Sequence, residues 1–294
     1  MNSPVNEEVQ ALMEAAHDRA AKALGLTCTG PLAWGFLGVT LGRRAGDRWL
    51  RLSRTAKRNA GRKRGEGIVG ASELVPDGVP RPRLYEVHDW TDGEWAFEAE
   101  VLDYVTQPIV SPDRADIDHD PGLPDEWWAD LRQALALLAE AEGVKTTVRD
   151  GWIERAFPQF LGIPAPGKVE RVTGHGDLHW GNLTVAPLCL LDWERWGLVP
   201  FGYDAGLLHA NSLLVPDVAA RIRREFAPTL DTPAGRIGEL AALAEMLQAV
   251  ARGWYPDLAP RLVARAEALT GVRPPVPVRS EVSACGPQRP APPP

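Results

Sequence analysis

Gly174-His175-Gly176-Asp177-Leu178-His179-Trp180-Gly181-Asn182 is the stretch around which this 294-residue chain reads as organised. It sets a carboxylate, Asp177, and a carboxamide, Asn182, in a segment broken by Gly174, Gly176 and Gly181. A second carboxylate, Asp192, follows the apolar run 185–191. One carboxylate to orient a hydroxyl, with an amide and a carboxylate to hold Mg²⁺, is a minimal set for phosphoryl transfer, because Mg²⁺ takes oxygen ligands and leaves room for phosphate oxygens. Gly181 permits close backbone approach to a phosphate. His175 suits a hydrogen bond that holds the loop. His175, Asp177 and His179 would also share a face of an extended segment, which leaves a zinc-dependent hydrolase open as an alternative.

Downstream, only eleven residues separate Asp192 from Asp204. There is no Asp-Phe-Gly and no Ala-Pro-Glu, so the segment is too short to dock a peptide, and the acceptor is expected to be a small molecule bearing a hydroxyl. From Asp204 the pattern is helical over 204–213, 216–226, 232–253 and 256–270. Upstream, residues 6–24 have helical spacing and stop at Gly25. Residues 33–41, 48–52, 83–88 and 95–105 read as strands, with a hairpin at Thr91-Asp92-Gly93. A helix over 55–74 is weakened by Gly61, Gly65, Gly67 and Gly70. Residues 106–124, with four prolines, read as a linker or loop. Asp125 is expected to cap a helix over 125–142 that ends at Gly143, and another helix is expected over 149–162. Short strands are expected at 183–185 and 189–191.

The expected fold class is therefore α+β with two lobes: a small antiparallel sheet in residues 1–105 and a larger, mainly helical lobe in 106–272. Residues 273–294, with eight prolines, read as a disordered tail. The site would face the cleft between the lobes. Net charge is −7, with ten Arg or Lys between residues 43 and 64 against one acid, Asp47. A basic small lobe suits a polyphosphate, and an acidic remainder would steer a cationic acceptor and argues against nucleic acid. Cys28, Cys189 and Cys285 show neither disulfide nor zinc spacing, which points to the cytoplasm. No signal peptide or membrane span is read. Trp180, Trp193 and Trp196 fit either core packing or stacking on an acceptor ring.

The run His-Gly-Asp-Leu-His-Trp-Gly-Asn-Leu, with Leu-Leu-Asp-Trp-Glu after it, resembles the aminoglycoside phosphotransferase and small-molecule kinase family, which has the protein-kinase-like fold. The match lies at His175, Asp177, Asn182, Asp192, Trp193 and Glu194, and continues through Pro200-Phe201-Gly202-Tyr203-Asp204-Ala205-Gly206. The resemblance implies that Asp177 is the catalytic Asp, that Asn182 and Asp192 bind the metal, and that Asp204 is a structural Asp opening the next helix. It also implies ATP or GTP as phosphoryl donor, with the base read by the Asp103 carbonyl and the Val105 N–H. Two departures stand out. Arg51 occupies the slot where the family carries a phosphate-contacting Lys, with Lys57 a weaker substitute and Glu66 the expected partner acid. The loop 30–38 lacks G-x-G-x-x-G order. Arg51 also supports a second alternative, a nucleotide-binding pseudokinase.

Overall fold

The computed structural model describes residues 4–58, 67–142 and 145–275. The small lobe is a five-stranded antiparallel sheet in the order β1-β2-β3-β5-β4: β1 Thr29–Trp34, β2 Thr40–Ala45, β3 Arg48–Ala56, β4 Leu84–Asp92 and β5 Trp95–Asp103. Alternation gives this sheet two unlike faces. Leu50 and Leu52 of β3, with Phe97, Ala99 and Val101 of β5, pack against Met13, Ala16 and Ala20 of helix α1 (Glu7–Ala23). The alternate residues Trp49, Arg51 and Glu100 lie on the opposite face, and Arg51 pairs with Glu100 in register. Asn6 caps α1 through its side chain, and Gly25 follows the helix with φ +63°, a conformation that costs glycine little.

The expected α+β, two-lobe fold class is the observed one, while several boundaries differ. The strand expected at 33–41 is two strands, parted by a turn at Phe36–Gly38. The Asp92-Gly93 hairpin forms, with Gly93 at φ +53°. The helix expected over 55–74 is described only as α2, Gly67–Leu74; residues 59–66, Glu66 among them, lie outside the described residues. Helix α3 is Asp125–Leu138, and its N-cap is Pro124, so Asp125 sits in the first turn and caps nothing. Gly143 and residues 276–294, most of the tail, also lie outside the described residues.

The large lobe adds α4 (Asp150–Ala156), α5 (Tyr203–Ala210), α6 (Pro216–Glu225), α7 (Ala227–Leu230), α8 (Pro233–Ala251) and α9 (Ala259–Thr270). Helix α8 is its buried axis: Leu240, Leu243 and Leu247 pack with Tyr203 and Leu207 of α5 and Leu262 of α9. The α5–α8 crossing is close, because a Cβ on Gly206 would stand 2.7 Å from the Glu239 backbone. Glu239, fully buried, is compensated by Arg223 and Arg265 and lies 3.3 Å from His209. Two four-residue strands that the sequence pattern did not reveal, β6 (Arg171–Gly174) and β7 (Gly197–Pro200), pair antiparallel and bracket the opening motif. The strands expected at 183–185 and 189–191 reduce to a single bridge, Leu183 with Leu190. Among the described residues, no helix is long and apolar enough to cross a membrane.

Candidate active site

The β6–β7 pair closes a loop of residues 175–196 at its base, with Gly174 opposite Gly197. Asp204, at the start of α5, clamps the entry of this loop. Its carboxylate accepts from the His175 N–H at 2.7 Å and the Gly176 N–H at 2.9 Å. Burial pushes the Asp204 pKa up, against His175 and those two hydrogen bonds, which favour the charge. The clamp needs glycine on the strand: a Cβ on Gly174 would lie 2.5 Å from the Asp204 carboxylate.

Two further contacts fix the loop's middle. The Asn182 side chain donates to the Asp177 carbonyl at 2.9 Å, and the His175 ring donates through Nε2 to the Leu191 carbonyl at 2.8 Å. The Gly181 N–H donates to Nδ1 of His179 at 3.1 Å, so the proton of that ring sits on Nε2, 3.7 Å from Asp177 Oδ2. Burial holds the His179 pKa down, with the Asp177 charge working the other way. A neutral His179 thus faces the Asp177 carboxylate. The segment expected to be a linker is bound along this loop: Val110 and Val185 N–H groups donate to Leu183 and Pro108 carbonyls, and Trp180 N–H donates to Ala115. Trp180, Trp193 and Trp196 are all buried in the core, which removes the stacking alternative for them.

Asp192 ends the loop in the left-handed region, φ +55° and ψ +71°, where a side-chain-bearing residue is strained. Its carboxylate lies 3.5 Å from Arg51. Its side chain is 46% exposed to the cleft, yet partial burial still pushes its pKa up. Arg51 opposes that rise, and the neighbouring Glu194 and Asp177 charges add to it. Arg51 is enclosed by acids. It donates to Glu100 at 3.1 Å and makes a short contact with Glu194. Burial works against the Arg51 charge, and Glu100, Asp192 and Glu194 outweigh it, so its pKa rises. Arg195 lies 3.6 Å from Asp177 and is held in a two-pronged pair by Glu245, which also takes the Tyr203 hydroxyl.

These residues line one cleft of about 1070 Å³ between the sheet and the helical lobe. Arg51, Asp177, Asn182 and Asp192 all open into it, with Glu194 and Arg195. The donor set fits Mg²⁺: an amide fixed on its nitrogen side, and carboxylates whose mutual repulsion Arg51 offsets at Asp192. Zinc does not fit, since no group of three His, Cys, Asp or Glu among the described residues could hold a metal.

No family model matches the chain, and no curated protein matches it. Solved structures do. A choline/ethanolamine kinase family protein from Mesorhizobium loti matches with TM-score 0.57 and 17% identity, over 88% of this chain and 95% of that one. A thermostable mutant of aminoglycoside phosphotransferase APH(4)-Ia matches with TM-score 0.54 and 13% identity, over 86% and 97%. Amicoumacin kinase hAmiN matches with TM-score 0.54 and 12% identity, over 93% and 99%. The chain has the protein-kinase-like fold of these small-molecule kinases.

Within that kinase-like fold, the sheet side of the cleft is lined by Gly35, Val39, Thr40 and Arg51. Asp103 and Val105 are not among the cleft-lining residues. The Asp103 carboxylate is occupied by the Arg83 N–H and the Tyr85 hydroxyl, and the Tyr104 N–H donates to Asp47. Beside them the Trp49 ring lies against Gly42, where a Cβ would come within 2.3 Å of it, and 6.0 Å from the Tyr104 ring. The described partner acid of Arg51 is Glu100, on the neighbouring strand. Sequence reasoning missed it, along with Arg195 and Glu245. The signal for Glu100 was an acid spaced two residues from Glu98 on the face of β5 opposite Phe97, Ala99 and Val101.

Proposed function

We propose that this chain is a Mg²⁺-dependent phosphotransferase that moves the γ-phosphoryl group of ATP or GTP to a hydroxyl of a small molecule. The observation that carries the reading is the convergence of Asp177, Asn182, Asp192 and Arg51 on one interlobe cleft. Asp177 accepts a hydrogen bond from the acceptor hydroxyl and takes its proton as the oxygen bonds to the γ-phosphorus and the bridging β–γ oxygen departs. Neutral His179 and Arg195, 3.7 and 3.6 Å away, keep the Asp177 carboxylate in place. Asn182 and Asp192 would hold Mg²⁺, which when bound neutralises charge on the phosphates.

Arg51 faces the phosphates, and residues 103–105 are assigned the base. Residues 1–105 would then carry the nucleotide and 106–272 the acceptor. The fold neighbours support a nucleotide donor, since APH(4)-Ia is described with AMP-PNP and hygromycin B, and hAmiN with AMP-PNP and Ca²⁺. A cytoplasmic location supplies both donor and reducing conditions for the free Cys28 and Cys189. The test is phosphoryl transfer from ATP and GTP, with Mg²⁺, to a panel of aminoglycosides, amino alcohols and sugars. Transfer that Asp177→Ala abolishes is the expected result, and transfer unchanged in that variant would refute it. One observation favours a second reading. The carboxylates around Arg51 leave its charge already compensated. A nucleotide-binding protein without transfer would show Mg²⁺-dependent nucleotide binding and no product with any acceptor.

A further inference from the structure

The helical wall of the cleft carries a feature that the phosphoryl chemistry does not use. The turn after α8 runs through Arg252, Gly253, Trp254, Tyr255, Pro256 and Asp257 before α9 begins. Trp254 and Tyr255 both line the cleft. Tyr255 has φ +53°, a left-handed backbone that a bulky residue adopts only when its surroundings impose it. They do so here: Leu258 and Ala259 N–H groups donate to the Tyr255 carbonyl at 3.2 and 3.0 Å, and Leu258 is fully buried. The Tyr255 ring packs on the helical core, while its hydroxyl has no hydrogen-bond partner among the described residues. Burial, then the charges of Asp116, Asp177 and Glu245, push its pKa up to about 12, so the hydroxyl stays protonated. Trp254 is 39% exposed, large for a tryptophan on a cleft wall.

The charges of this wall are mostly spent. Asp116 is held by Arg114 at 2.6 and 3.0 Å, and Glu245 by Arg195. Asp113 and Asp257 remain as acids with no hydrogen bond or ion pair among the described residues, against the exposed Arg252. The unpaired charges of this wall are two carboxylates and one guanidinium, so a molecule with several ammonium groups would find fewer partners than it has charges. A ring with an apolar face and hydroxyls would find an indole, a phenol donor and Asp177.

We propose that Trp254 and Tyr255 form the acceptor platform, and that the acceptor is a hydroxylated ring compound of low net charge, of the glycoside class, rather than a polycation. This rests on the phosphotransferase reading. The experiment uses the full chain with two probes, phenyl β-D-glucoside and kanamycin, with binding followed by calorimetry. The glucoside binds at least tenfold tighter than kanamycin. Trp254→Ala weakens it by about five- to tenfold and Tyr255→Phe by about threefold, the scale of one stacked ring and one hydrogen bond. Thermal unfolding shows whether each variant is folded, and Tyr255→Phe keeps the ring that the core needs. Tighter binding of kanamycin, binding of neither probe, or glucoside binding unchanged in both variants overturns the proposal. Mg²⁺–ATP binding on the same samples tests the phosphotransferase reading separately: its absence sinks that reading, whereas intact nucleotide binding with a failed glucoside response sinks only the platform.

Discussion

The loop of residues 175–182 and the strand face bearing Arg51 meet across one cleft, and they are held in place by different forces. The loop is fixed through its backbone: Asp204 takes two of its N–H groups, Asn182 takes a carbonyl, and His175 reaches the Leu191 carbonyl. The strand face is fixed through side-chain charge and ring contact, with Arg51 among Glu100, Asp192 and Glu194, and Trp49 against Gly42 and Tyr104. Backbone clamps specify one geometry and lose it when one partner goes. Charge clusters accept other partners, because a phosphate or a metal can replace a carboxylate contact. The contrast fits the proposed chemistry, in which the reacting group would be held rigid while the nucleotide wall adjusts.

The largest expected effect tests the rigid side at its reacting atom. Asp177→Asn keeps the shape and the Asn182 contact, which uses only the Asp177 carbonyl, and removes the proposed proton acceptor. Transfer should fall by roughly a thousandfold, within the range for loss of a positioned base. Thermal unfolding should stay within about 1 °C of the parent, since asparagine keeps the size of this half-buried side chain and spares the backbone contacts. A variant retaining a tenth of parent activity would show that the carboxylate is not the base.

The next effect probes the charge-held side. Arg51→Met leaves Glu100, 5% exposed, without its cation, and breaking a buried pair costs about 3 kcal/mol. Replacing both as Arg51→Met with Glu100→Leu should recover at least half of that loss in urea unfolding, since two apolar groups leave no orphan charge. If the double variant is as unstable as the sum of the singles, Arg51 and Glu100 are not the coupled pair. A smaller loss is expected at the clamp. Asp204→Asn still accepts from one of the His175 and Gly176 N–H groups and leaves the other unmatched, at about 2 kcal/mol. The sign with pH also follows. Because burial holds the folded Asp204 pKa above its unfolded value, its ionisation opposes stability as pH rises through the raised value. The Asp204→Asn difference from the parent in urea unfolding should therefore be larger at pH 4 than at pH 8. A constant difference would mean that Asp204 does not titrate with folding.

How much of this was legible follows the same divide. The site loop was readable because its requirements are local: glycines where a Cβ would collide, and Asp, His and Asn at fixed spacing. Helix α1 and the helices α5, α6, α8 and α9 were readable by periodicity, while the single turn α7 (Ala227–Leu230) was not. The rest depends on partners far apart in the chain. Glu100 meets Arg51 only once β5 inserts between β3 and β4. Arg195 meets Glu245 fifty residues on. Strands β6 and β7 have four residues each, too few to show a pattern, and pair across 22 intervening residues, 175–196. The segment 106–124 reads as a linker because it is polar, with four prolines and four aspartates. Its place is set by backbone hydrogen bonds to residues 180–185, which composition does not encode.

The smallest expected effect lies at the tip of the adjustable wall. Leu37, in the turn between β1 and β2, has φ +53° and a side chain 40% exposed. A left-handed leucine costs about 1 kcal/mol, and its exposed side chain returns little of that through burial. Leu37→Gly removes the strain but gives back part of the gain, because glycine frees the unfolded chain by a similar amount. The net should be a stabilisation of about 0.5 kcal/mol or less in urea unfolding. Leu37→Ala separates the two contributions, since alanine keeps the backbone penalty and loses the side chain, so it should be no more stable than the parent. If the glycine variant is instead destabilised by more than about 1 kcal/mol, the Leu37 side chain holds the turn. The wall above the cleft would then be as firmly specified as the loop below it.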